Sequence, residues 1–148
     1  MNPFVIFNLP EKFDVDPISL DNRYFALQRE YDLLNKDPTE LNLAYSTLKN
    51  EYLRSQFLLN FQSPMITHSQ LNFNELEGFL EANESVQTTQ DEDELYRLYE
   101  HWSKKRKEII RRISQSFLMQ DYHQASFHTT CLKYVDNIIA AIFQKLDR

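Results

Sequence analysis

The 148-residue chain has a single glycine, Gly78, where average usage of about 7% would give roughly ten. Phosphate-cradling loops, dinucleotide fingerprints and nucleophile elbows each need two or more glycines in a short window, because backbone must approach a ligand or adopt positive φ. No window here holds two, which excludes P-loop, Rossmann and hydrolase-type enzymes. Cysteine is as scarce. Cys131 stands alone, so no internal disulfide can form. His68, His101, His123 and His128 show no paired ligand spacing beside it, so neither a metal site nor a cofactor is expected. No run approaches 18 apolar residues, which predicts no membrane span and no membrane partner. The N-terminus, Met1-Asn2-Pro3-Phe4-Val5, lacks a basic flank and a long apolar stretch, so no signal peptide is expected and a cytoplasmic location is the default. Bases are outnumbered: net charge is −6, which disfavours nucleic acid as a partner.

What the chain does have is rings and helical periodicity. Phe, Tyr and Trp make up 14% of it and apolar residues 42%, enough to build a core and to argue against disorder. A short helix is read over Asn2–Phe7, stopped near Asn8-Leu9-Pro10 because Pro10 biases Leu9 away from helical dihedrals. Asp16 before Pro17 is an N-cap followed by Pro at the first helical position. Leu20, Tyr24, Leu27 and Tyr31 then form one helical face that Phe25 widens, and this helix ends around Leu34. Asn35-Lys36-Asp37-Pro38 is a turn. Thr39 is read as the N-cap of one further helix carrying Leu41, Ala44, Tyr45, Leu48, Tyr52, Phe57 and Leu58 to about Phe61. Residues 62–70 lose the periodicity and read as a linker.

A third long helix starts near Leu71, with Ser85–Gln90 as a polar break after it. Leu95, Leu98, Trp102, Ile109, Ile113 and Phe117 mark the next, over Glu92–Met119. Cys131, Val135, Ile138, Ile139, Ile142 and Leu146 share a face of the last, over Tyr122–Leu146. The fold class is all-α: an N-terminal helical hairpin domain over 1–61, a linker over 62–70 and an antiparallel three-helix bundle over 71–148.

No Ser–His or Cys–His pair stands out, and carboxylate pairs such as Glu77 with Glu81 suit a solvated helix face better than a closed catalytic pocket. The chain is not expected to be an enzyme. Charge is segregated instead. From Leu71 to Glu100 nine acids face one base, Arg97, whereas His101–Arg112 carries six bases against one acid, Glu108. Charge patterning alone favours acidic and basic segments packed side by side over an acidic helix aimed at a basic partner. Phe73, Leu76 and Leu80 sit at i, i+3 and i+7 among the acids, either as core or as apolar anchors ringed by charge. Tyr134 lies one position off the stripe of Cys131, Val135 and Ile138, a candidate rim aromatic.

Phe4, Phe7-Asn8-Leu9-Pro10, Phe13, Asp16, Leu20, Tyr24-Phe25-Ala26-Leu27-Gln28, Tyr31, Leu41–Lys49 and Arg54–Leu59, with Leu76-Glu77 and Leu132-Lys133-Tyr134 further on, resemble the HscB family, J-type co-chaperones of iron–sulfur cluster assembly. The resemblance covers nearly the whole chain and is most specific over residues 4–59. It implies a J-like N-terminal domain, an HscA-type ATP-driven chaperone and an IscU-type scaffold as partners, and a monomer. It implies scaffold binding through Phe73, Leu76, Glu77, Leu80, Glu81, Glu84 and Tyr134, and chaperone binding through Arg23, Arg29 and Tyr31. The sequence departs from the family in one respect that bears on activity. The His-Pro-Asp tripeptide that triggers the partner's ATP hydrolysis in the family occurs nowhere in the chain, and the segment after Tyr31 is shorter than the family's. Asn8 stands where the family usually has Gly, and Asn tolerates the left-handed dihedrals of such a turn.

Overall fold

The computed structural model describes residues 1–66 and 71–147, and contains seven helices and no strand among them. The chain divides into two compact units, Met1–Met65 and Ile66–Arg148. Of the stretch read as a linker, residues 67–70, His68 included, lie outside the described residues, and Gln62 belongs to a helix.

In the first unit, Asn2 caps α1 (Pro3–Ile6) by accepting from the Phe4 amide. Asp16 caps α2 (Pro17–Leu33) by accepting from the Ile18 amide, with Pro17 at the first helical position, as expected. The predicted single helix after the turn is two, α3 (Thr39–Lys49) and α4 (Glu51–Gln62). Asn50 separates them: its backbone is extended, and its side chain accepts from the Leu53 amide to start α4. Thr39 is the first residue of α3 rather than its cap. The Asp37 carboxylate does the capping, accepting from the Thr39 amide at 3.0 Å and its hydroxyl at 2.7 Å. Phe4, Phe7, Phe13, Leu20, Leu41, Ala44, Leu48, Leu58 and Leu59 form the core. The Tyr24 and Tyr45 rings stack at 3.9 Å to join α2 to α3. Phe25, expected to widen the apolar stripe of α2, is instead 55% exposed. Arg54 is buried, its guanidinium 4.8 Å over the Phe13 ring and donating to the Leu48 carbonyl.

In the second unit, α5 (Phe73–Thr88), α6 (Glu92–Leu118) and α7 (Tyr122–Leu146) form the three-helix bundle. Each begins at a side-chain cap: Asn72 in a capping box with Glu75, then Asp91, then Asp121. Of the polar break expected at Ser85–Gln90, Ser85–Thr88 are the last turn of α5, where Val86 is fully buried, and only Thr89 and Gln90 lie outside the helix. Lys145 donates to the carbonyls of Gln87 and Thr89, 58 and 56 residues distant in sequence, and so satisfies that helix end. The core joins Val86, Leu95, Ile138 and Ile142, flanked by Phe79, Ala82, Leu98 and Trp102.

The missing glycines have substitutes. Among the described residues, Asn8, Asn35 and Gln120 are the three non-glycine residues with positive φ, at 53°, 53° and 56°. Each follows a helix, and the same two hydrogen bonds form at each end. For Asn35, its own amide donates to the Asp32 carbonyl and the next, Lys36, to that of Tyr31. The position that closes such an end usually holds Gly, sometimes Asn.

Candidate functional site

Helix α5 is divided lengthwise. Phe79, Ala82 and Val86, spaced three and four apart, face the bundle, while Phe73, Glu77, Leu80 and Glu84, spaced four, three and four, share the opposite face with Glu81 alongside. Phe73 is 76% exposed and Leu80 58%, and the carboxylates of Glu77, Glu81 and Glu84 are exposed between them. Phe73 and Leu80 are therefore not core. They are exposed apolar side chains amid charge, an arrangement that interface patches with a polar rim share. Leu76 lies at the flank of this face and is half-buried.

Tyr134 is drawn to the same helix from α7. Its ring stacks on Phe79 with centroids 5.4 Å apart and planes 13° from parallel, and Phe79 in turn meets Trp102 at 6.1 Å. Tyr134 is half-buried rather than a free surface ring. Sequence reasoning missed Phe79, the residue that fixes Tyr134 against α5. The signal was present in the spacing Phe79, Ala82, Val86, but reading Ser85–Gln90 as a break removed its third member.

The three residues assigned to a chaperone contact are not brought together. Arg23 donates from one terminal guanidinium nitrogen to the carbonyls of Phe7 and Asn8, at 2.7 Å each, and so ties α2 to the end of α1. Tyr31 is half-buried under the Lys36 ammonium, 4.9 Å from its ring centroid. Arg29 lies on another face of α2, exposed and lining an open groove of about 730 Å³ with Phe25, Asp32 and Pro38. In the turn between α2 and α3, Asp37 is held below the ordinary carboxylate range by the hydroxyl and amide of Thr39. It is committed to capping α3.

Among the described residues, no group of three or more His, Cys, Asp or Glu could hold a metal ion, and no helix is long and apolar enough to cross a membrane. Burial and the Glu75 charge push the Cys131 thiol up to about 11, which leaves it protonated at neutral pH and a poor nucleophile.

The family described as the HSCB C-terminal oligomerisation domain matches residues 76–142, which span most of α5, all of α6 and most of α7. A relative from Mannheimia succiniciproducens, the "Co-chaperone protein HscB homolog", is 27% identical over 161 residues, covering 95% of this chain and 93% of its own. The human "Iron-sulfur cluster co-chaperone protein HscB" is 26% identical over 151 residues, covering 91% of this chain and 64% of its own. The structure of "Chaperone HscB from Vibrio cholerae" shares the fold, with a TM-score of 0.85 over 99% of this chain and 98% of that one, at 22% identity. With the helices of both units and nearly the full length of the chain matched in this way, the protein resembles the HscB co-chaperones from end to end.

Proposed function

We propose that this chain acts in iron–sulfur protein maturation, binding an IscU-type scaffold through its C-terminal bundle and delivering it to an HscA-type ATP-driven chaperone. The observation that carries the reading is the outer face of α5, where Phe73 and Leu80 stand exposed among Glu77, Glu81 and Glu84. Leu76 and Tyr134 complete the surface. The human relative named for iron–sulfur clusters supports the same reading. The domain layout that goes with it is a J-like unit over 1–61, a linker over 62–70 and the scaffold-binding bundle over 71–148, in a cytoplasmic monomer. Calorimetric titration with the cognate scaffold tests it. The triple variant Phe73→Ala/Leu76→Ala/Tyr134→Ala should bind at least tenfold more weakly than wild type, and equal affinity would overturn the assignment.

A second reading, a scaffold-binding module without J-type activity, rests on the missing His-Pro-Asp tripeptide. Arg23 and Asp37 are engaged in holding the fold, and only Arg29 and Tyr31 remain for a chaperone contact. Single-turnover ATP hydrolysis by the partner chaperone separates the two. No acceleration supports the second reading, and a several-fold acceleration supports the first.

A further inference from the structure

A groove of about 410 Å³ opens in the C-terminal unit between α5, α6 and α7, beside the helix face already described. Phe79, Trp102, Ile109, Cys131 and Val135 form its apolar wall, and polar and charged side chains line the rest. The chain's one glycine and one tryptophan both line it. A Cβ built at Gly78 would meet nothing within 4 Å, so the groove is open at this edge. A volume in this range, with an apolar wall beside polar groups that can orient a ligand, is that of a small-molecule site.

The polar groups at the groove select the sign of the ligand. Glu108 is satisfied twice, by Arg111 at 2.7 Å and by Arg112 at 3.0 Å. Glu75 is engaged at the Asn72 amide in the capping box. Burial and the nearby Arg112 charge hold His128 below its ordinary pKa, so it is neutral at pH 7. Lys105 makes no ion pair among the described residues, and two arginines already share the Glu108 carboxylate. A cationic ligand finds both carboxylates already engaged, whereas an anionic one finds an unpaired ammonium at the edge of an apolar trough. We propose that this groove binds a small amphipathic carboxylate, its apolar chain against Phe79, Trp102 and Val135 and its carboxylate on Lys105. The site uses none of the exposed anchors of α5, so it stands or falls apart from scaffold binding.

Trp102 is the reporter, as the only tryptophan in the chain. The full chain is titrated with decanoate below its micelle concentration, with decanol and decyltrimethylammonium as the neutral and cationic counterparts. Decanoate should give a saturable change in Trp102 fluorescence, at least tenfold tighter than either counterpart. Lys105→Gln should weaken decanoate at least tenfold and bring it level with decanol. Gly78→Leu, which fills the groove, should remove the saturable change while circular dichroism shows wild-type helicity. A non-saturable response, equal affinity for all three amphiphiles, or wild-type decanoate affinity in Lys105→Gln would overturn the proposal.

Discussion

The Tyr134 ring lies parallel to that of Phe79, 5.4 Å away, and this stack links the middle of α7 to the inner face of α5. The pair gives the outer face of α5 a fixed support, because Phe79 is one position from Leu80 and points the other way. Phe79→Ala should destabilise the C-terminal unit by about 2–3 kcal/mol, below the usual range for a fully buried Phe. Tyr134→Ala should cost less. In a double-mutant cycle, the coupling should be about 0.5–1.5 kcal/mol, the typical contribution of an aromatic pair beyond its burial. Urea unfolding followed by Trp102 fluorescence reads this unit, and a coupling near zero would show that the stack only fills space.

Phe73 and Leu80 present the opposite case. Both are mostly exposed, so Phe73→Ala and Leu80→Ala should each change stability by no more than about 0.5 kcal/mol. Binding of an IscU-type scaffold should weaken all the same. A fall in unfolding midpoint matching the loss of affinity would mean that the face serves the fold and not a partner.

Glycine is absent where the backbone favours it and present where it does not. Gln120 holds φ at 56°, a conformation that glycine adopts without steric cost. Gly78 lies inside α5 with ordinary φ and open space at its Cβ position. Gln120→Gly and Gly78→Ala should each raise the stability of the C-terminal unit, by about 0.5–1 kcal/mol. Because Gln120 lies between α6 and α7 and Gly78 inside α5, with no shared partner, the double variant should be additive. Destabilisation by Gly78→Ala in urea titration would reveal a packing demand at that position.

Most of this architecture could be read in the sequence because its signals are local. Asp16-Pro17 marks the start of α2, and the apolar stripe over Tyr122–Leu146 gives the bounds of the 25-residue α7. The break at Asn50 was not legible in the apolar pattern, since Leu48 and Leu58 continue a buried face across it and no glycine or proline interrupts. Only the Asn50 side chain, capping α4, betrays the new helix. The end of α5 was lost for a different reason. Polar Ser85, Gln87 and Thr88 surround a single buried valine, and the cation that satisfies the helix end, Lys145, comes from α7. The outer face of α5 was named correctly as a surface only with help from the family resemblance. Periodicity alone cannot tell an apolar stripe that faces a core from one that faces a partner.

Glu108 should set part of the acid response of the C-terminal unit. Hydrogen bonds from Arg111 and then Arg112 lower its carboxyl from an ordinary 4.5 to about 2. A carboxyl lowered on folding contributes stability that is present above the unfolded value and is lost as pH falls through the folded one. The contribution should therefore be complete above about pH 4.5 and fade toward pH 2. Glu108→Gln should flatten the fall in thermal midpoint over that window. Because the pair is exposed, 1 M salt should flatten it too. An unchanged slope in Glu108→Gln would assign the acid sensitivity to other carboxylates.

Arg23 and Arg29, six residues apart on α2, should separate a structural cation from a free one. Arg23 holds the carbonyls of Phe7 and Asn8, closing the end of α1 where Asn8 takes the left-handed conformation. Arg23→Ala should lower the stability of the N-terminal unit by about 1 kcal/mol, less than a buried charged hydrogen bond would cost because the side chain is exposed. Arg29→Ala should leave stability unchanged, since Arg29 makes no hydrogen bond or ion pair among the described residues. Far-UV circular dichroism follows both units, and Trp102 fluorescence reports the C-terminal one. The Arg23→Ala effect should thus appear in the first signal and be absent from the second. If the partner chaperone contacts this helix, Arg29→Ala is the variant that should weaken its binding without a stability change. Equal destabilisation by both variants would remove Arg29 from consideration as a contact and place it in the fold beside Arg23.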